Sequence, residues 1–217
     1  MIFNKETASA ISDSLLQVKA IKLNNSNPFT WASGMRSPIY CDNRITLSYP
    51  KVRTYIRQQF VKAIEDKFGD VDVIAGVATG AIAQGALVAQ EMGLPFVYIR
   101  SESKKHGLEN MIEGHIEAGQ SVVVVEDLIS TGGSSLKAVK ALRAAKCKVK
   151  GMVAIFTYQL PVATENFEKE KCKLVTLSDY DNMINRAGEN EYVKGSDLAS
   201  LKEWRKDPKK WAEQFNK

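Results

Sequence analysis

What most restricts the fold of this chain is a series of apolar runs after Gly69: Val71 to Val77, Phe96 to Arg100, Val122 to Val125 and Val149 to Phe156, with a weaker one at Leu174 to Leu177. They are short and apolar on both alternating faces, so they read as strands covered on both sides. Between them, Ala81 to Met92, Ser134 to Ala145 and Val162 to Lys169 carry helical spacing. Strands and helices in alternation build βαβ units. The expected class is α/β, a mostly parallel central sheet flanked by helices.

Ahead of that series, Ala8, Ile11, Leu15 and Val18 recur at helical spacing, as do Val52, Ile56, Phe60, Ile64 and Phe68 after Pro50. Between these two helices, Phe29-Thr30-Trp31 and Ser37-Pro38-Ile39-Tyr40 read as short strands around a turn, with Pro38 favouring an edge. A single domain over 1–217 is expected, with residues 1–45 forming a small hood. The stretch 101–119 is polar, glycine-marked and long for a compact α/β domain, which makes it a lid loop. Trp204 and Trp211, seven residues apart, predict a packed helix near the carboxyl end.

The net charge of +5 raises the possibility of nucleic-acid binding. From Lys194 to Lys217, however, there are seven basic and four acidic residues, so 7 − 4 = +3 of it lies at one end, without interleaved stacking aromatics. No nucleic-acid partner is expected. No run approaches the roughly 18 apolar residues of a membrane span, and the start Met1-Ile2-Phe3-Asn4-Lys5-Glu6 lacks a secretory layout. A soluble cytoplasmic protein with no membrane partner is expected. Cys41, Cys147 and Cys172 lack CxxC spacing, and His106 and His115 form no HExxH pair, so neither a disulfide framework nor structural zinc is indicated.

The chemistry concentrates at Val122-Val123-Val124-Val125-Glu126-Asp127-Leu128-Ile129-Ser130-Thr131-Gly132-Gly133-Ser134. Ligands of open α/β sheets bind where a strand ends in this way. The two glycines permit a sharp turn, and free amides with the hydroxyls of Ser130, Thr131, Ser134 and Ser135 can donate to a phosphate. Walker A would place a lysine where Ser134 stands, and the GxGxxG spacing is absent. Glu126 and Asp127 would repel a polyphosphate, yet they can accept from vicinal sugar hydroxyls or hold Mg2+ through water. A phosphate site behind an acid pair suggests ribose 5-phosphate; the plain alternative is that Asp127 caps a helix behind an ordinary turn.

These residues resemble the phosphoribosyl-pyrophosphate signature of the type I phosphoribosyltransferases. Arg100, Lys104 and His106 match the mobile loop of orotate phosphoribosyltransferases, and Pro28 to Asp42 resembles that family's base-binding segment. The resemblance covers nearly the whole chain. It departs at Ala32, Thr79 and Ser101, where some members carry lysine.

The resemblance implies the type I phosphoribosyltransferase fold and transfer of 5-phosphoribosyl from phosphoribosyl pyrophosphate to orotate in de novo pyrimidine biosynthesis. It implies substrate binding by Arg100, Lys104, His106, Glu126, Asp127, Leu128, Ile129, Ser130, Thr131, Gly132, Gly133 and Ser134. Ser130 would also touch orotate. Lys104 and Asp127 are the catalytic candidates, the lysine as a leaving-group electrophile and the aspartate as a proton relay. Mg2+ is implied with the diphosphate, with no ligand directly assigned. A homodimer is implied as well, each lid completing its partner's site. Amides of Gly76 to Gly80 are expected on the diphosphate, while Arg36 and Tyr40 are open between base contacts and structural roles. The other readings are a purine phosphoribosyltransferase and a non-catalytic regulator that senses phosphoribosyl pyrophosphate.

Overall fold

A computed structural model describes residues 1–31, 34–102 and 111–215. Helix α1, Lys5–Gln17, starts where the Asn4 side chain accepts from the Thr7 amide at 2.8 Å, which satisfies one of the donors left open at a helix start. Short strands follow: β1 (Ile21–Leu23), β2 (Phe29–Thr30), β3 (Arg36–Ser37) and β4 (Ile39–Cys41), then a 3-10 turn, Asn43–Ser48. Helix α2, Pro50–Phe68, has proline at its first position, where a missing N–H costs nothing, and stops at Gly69 with φ 64°.

The α/β region runs β5 (Val73–Val77), α3 (Ile82–Met92), β6 (Phe96–Ile99), β7 (Ile112–Glu113), β8 (Ser121–Ile129), α4 (Gly133–Ala144), β9 (Lys148–Thr157), α5 (Pro161–Lys169) and β10 (Leu174–Asp179). It ends with α6 (Tyr180–Glu189), α7 (Gly195–Lys206) and α8 (Pro208–Glu213). The six-stranded sheet has the order β10-β9-β8-β5-β6-β7 and is parallel except for β7. From β5 the chain first builds outward on one side through β6, then returns to the other side with β8. The order therefore reverses between β5 and β8, and a crevice opens at their carboxyl ends.

The valine run shows why the sheet is buried on both faces. Val123 and Val125 pack with Phe60 and Ile74 in one core, whereas Val122 and Val124 pack with Leu136 and Val139 of α4 in the other. All four valines are inaccessible to solvent, each worth roughly 1.5–3 kcal/mol of burial.

The expected class and strand series are present, with four differences. The valine strand continues through the acid pair to Ile129, because β9 is long enough to pair with it: Glu126 stands opposite Ala154 and Ile129 opposite Thr157. The hood is not one hairpin. Phe29–Thr30 pairs with Arg36–Ser37, but Ile39–Cys41 pairs with Ile21–Leu23, a strand not anticipated. Pro38, without an N–H to donate, sits at the break between the pairings.

In the stretch expected as a lid, Ile112–Glu113 pairs antiparallel with β6, and the Arg100 amide donates to the Met111 carbonyl at 2.9 Å. The carboxyl-terminal part of that stretch is thus held by the sheet edge. The expected tail helix is two helices, since Asp207 ends one and caps the next, whose first residue is Pro208. Both tryptophans are nonetheless buried. Among the described residues no helix is long and apolar enough to cross a membrane.

Candidate active site

Side chains alternate across a strand, so the adjacent acids at the end of β8 enter different surroundings. Glu126 turns under α4 and is 5% exposed. One carboxyl oxygen accepts from the Ser135 hydroxyl at 2.7 Å and the other from the Asp127 amide at 2.9 Å. Burial, followed by the neighbouring charge of Asp127, pushes its carboxyl well above the usual carboxylate range. Asp127 is half-buried. Its carbonyl accepts from the side chain of Asn43 at 2.6 Å, and its carboxylate lies directly over Gly80, where a Cβ would collide with it.

Beyond Ile129 the chain turns through Ser130 and Thr131 to Gly132, whose φ of 78° suits glycine. A Cβ there would also lie 2.7 Å from the ring of Phe167. From the same helix α5, Asn166 donates to the Thr131 carbonyl at 2.9 Å, so α5 supports the turn from below. No side chain caps the start of α4. The amides of its first turn and the exposed Gly133 and Ser134 are therefore placed to receive an anion.

A cavity of about 400 Å³ lies between three walls. The hood end supplies Cys41, Asp42 and Arg44; the turn after β5 supplies Val77 to Gly80, with a cis peptide between Ala78 and Thr79; β8 and α4 supply Glu126, Asp127, Leu128 and Ser134. A second space of about 400 Å³ contains Thr79, Tyr98, Arg100 and Glu113. Arg100 lines this second space, its guanidinium 3.4 Å from the carboxylate of Glu113.

The structure thus brings Glu126, Asp127, Leu128 and Ser134 to one cavity, with Ser130 to Gly133 on the adjoining turn. Ile129 is fully buried in the core, so only its backbone faces the turn, and its carbonyl is taken by the Tyr158 amide at 3.0 Å. Lys104 and His106 lie outside the described residues. Arg36 donates to Thr30 at 2.8 Å within the hood, while Tyr40 is 39% exposed with its ring 5.7 Å from that of Phe29.

Sequence reasoning missed Asn43, Arg44 and Gly80 as the seat of Asp127, and it counted Ser135 among the phosphate donors, whereas that hydroxyl is buried and donates to Glu126. Asp42-Asn43-Arg44 is a polar cluster directly after a hood strand, a weak signal that also fits any turn. Nothing local marks Ser135 as the partner of Glu126.

The phosphoribosyl transferase domain family matches residues 47–189. An orotate phosphoribosyltransferase of Porphyromonas gingivalis is 56% identical over 207 residues, covering 95% of this chain and 99% of the relative. The chain belongs to the orotate phosphoribosyltransferase family. Another member, from Listeria monocytogenes, is 52% identical over 93% of this chain and 96% of its own. The orotate phosphoribosyltransferase of Aeropyrum pernix superposes with a TM-score of 0.74 at 24% identity, covering 85% of this chain and 99% of that one. Adenine phosphoribosyltransferase of Leishmania donovani superposes at 0.61 and 21% identity over 80% and 81%. These two likenesses speak for the type I phosphoribosyltransferase fold, and the resemblance read from the loop and hood is borne out by the relatives.

Proposed function

We propose that the protein transfers the 5-phosphoribosyl group of phosphoribosyl pyrophosphate to orotate, releasing diphosphate and orotidine 5'-monophosphate in de novo pyrimidine biosynthesis. The observation that carries this reading is the half-buried carboxylate of Asp127 beside the uncapped start of α4, seated against the turn Val77 to Gly80. The α4 amides with Ser130, Thr131 and Ser134 hold the 5-phosphate, Asp127 accepts from the ribose hydroxyls, and Ser130 reaches the base. Glu126 acts from below by fixing the Asp127 amide and Ser135.

In the reaction the bond from ribose C1 to the diphosphate oxygen breaks with its electron pair leaving on oxygen. A bond from C1 to the orotate ring nitrogen forms, and that nitrogen's proton is released, with Asp127 the candidate relay. Positive charge develops at C1 and negative charge on the leaving oxygen, so Lys104, supported by Arg100 and His106, stabilises the transition state from the diphosphate side. Arg100 lines a different space from Asp127 in its own subunit. The two spaces adjoin at Ala78 and Thr79, and it is the match of Arg100, Lys104 and His106 to the family's mobile loop that supports a homodimer in which each lid serves the partner's site.

The described residues contain no group of three or more His, Cys, Asp or Glu that would cage a metal. Mg2+ fits instead as an ion that keeps several waters and binds mainly to substrate phosphate, for which Asp127 is the available carboxylate. When bound it would neutralise diphosphate charge. The three cysteines are free and buried, which fits a reducing cytoplasm.

The direct test follows loss of orotate absorbance with phosphoribosyl pyrophosphate and Mg2+, alongside a screen of purine bases for diphosphate release. Turnover specific to orotate is expected; turnover of a purine alone would overturn the reading. For the shared site, Lys104→Ala and Asp127→Ala subunits, each inactive, should regain roughly a quarter of wild-type activity after random exchange in a twofold dimer. No recovery despite exchange would refute sharing.

A further inference from the structure

We propose that Arg44 recognises the carboxylate of the accepting base and that Asp42 holds it ready to do so. The inference rests on orotate as the acceptor and names a specificity residue for that reaction. Arg44 stands three residues after the end of β4, in the 3-10 turn at the hood's end. Its Nε donates to one oxygen of Asp42 at 2.7 Å and its Nη2 to the other at 2.9 Å, and the Arg44 amide joins the first oxygen at 3.2 Å. A two-point grip of this kind sets the plane and direction of the guanidinium. Nη1 has no hydrogen-bond partner among the described residues.

Such a pair adds little to folding stability where water reaches it, and the Arg44 side chain is 58% exposed. Its position gives it a different value. Arg44 lines the cavity that contains Asp127, together with the carboxyl groups of Asp42 and Glu126, and among the described lining residues it is the one cation. An anionic base entering beside Asp42 and Asp127 meets like charge unless Arg44 opposes it.

The end of the cavity also matches. The amides suited to phosphate lie at α4 and after β5, whereas Arg44 stands at the hood end, with both Asp127 and the hood ring of Tyr40 within electrostatic reach. Arg36 and Arg100, the other arginines of the hood and of the neighbouring sheet edge, point elsewhere. Arg36 is tied to Thr30 and does not line the cavity, and Arg100 sits in the second space beside Glu113. A planar base with a carboxylate can take the free edge of the Arg44 fork; uracil, which lacks the carboxylate, forgoes that charge-assisted bond and binds more weakly.

The test measures initial rates of the full chain with orotate and with uracil, varying phosphoribosyl pyrophosphate separately, for wild type, Arg44→Ala, Arg44→Lys and Asp42→Asn. Arg44→Ala is expected to raise KM for orotate by about 10- to 100-fold and to lower the orotate-over-uracil ratio of kcat/KM by a similar factor. KM for phosphoribosyl pyrophosphate should stay within about twofold. Arg44→Lys should recover part of the loss, and Asp42→Asn should move KM for orotate the same way by less. If Arg44→Ala does not fold, Arg44→Lys carries the test, with orotate affinity falling and the other KM holding. An unchanged KM for orotate overturns the proposal, and a parallel rise in both KM values reassigns Arg44 to the phosphates. A wild-type enzyme that does not use orotate overturns the function itself, a result visible before any variant is made.

Discussion

The turn at the end of β8 and the hood face each other across one cavity, yet they are built in opposite ways. The turn is local: a valine strand, a left-handed glycine and an uncapped helix lie within residues 121–144. The hood is assembled from distant pieces, since Ile21–Leu23 pairs with Ile39–Cys41 and Asn43 reaches the Asp127 carbonyl 84 residues away. Under the proposed function the local piece is the phosphate seat and the non-local piece is the wall that faces the base.

The comparison is broken most sharply at Gly80, the point where the turn after β5 touches the acid of β8. Gly80→Ala must displace the Asp127 carboxylate, and a misplacement near 1 Å should lower kcat/KM by about 100-fold. Steady-state kinetics with an unchanged circular dichroism spectrum would check this; near wild-type activity would show that Asp127 need not sit there.

Asn43→Ala removes the bond that ties the hood to β8, leaving the part-buried Asp127 carbonyl without that donor. A stability loss of about 1–3 kcal/mol in urea unfolding is expected, with KM for orotate rising more than KM for phosphoribosyl pyrophosphate. Equal rises would mean that Asn43 serves both walls. By contrast, Gly132→Ala strains the seat alone, through its positive φ and the Phe167 ring. It should cost about 1–2 kcal/mol and weaken phosphoribosyl-pyrophosphate binding by calorimetry, leaving the base KM little changed.

The smallest effect is at Glu126. Its folded-state pKa is raised by burial, so the protonated form favours the fold. That contribution is complete below the ordinary glutamate value of about 4.3 and is lost as pH climbs through the raised value. Glu126→Gln keeps a neutral group of the same shape. Its melting temperature should gain on wild type as pH climbs above the ordinary glutamate value, by about 2–4 °C for every 1 kcal/mol that wild type loses. A constant offset over that climb would mean that Glu126 is ionised throughout.

Much of this contrast was legible in the residues. Uniform apolar runs with helical stretches between them specify the parallel sheet, because a strand covered on both faces needs no polar alternation, and Gly132-Gly133 after two acids marks the seat. The length of β8 was not legible, since only pairing with β9 carries the strand through Glu126 and Asp127. Nor was the fate of Pro38, which depends on β1 competing for the strand beyond it.

The sequence by itself determined the α/β class, the glycine turn between a buried strand and a helix, and the resemblance to a family, all of which follow from short-range periodicity, glycine conformation and residue chemistry. Tertiary structure alone decided that Glu126 is sealed under Ser135 and that Asp127 rests on Gly80 beneath the Asn43 side chain. It also decided that Arg44, rather than Arg36, stands at the cavity. These relations depend on which distant strands pair and in what register, and residues far apart in the chain carry no local trace of that choice.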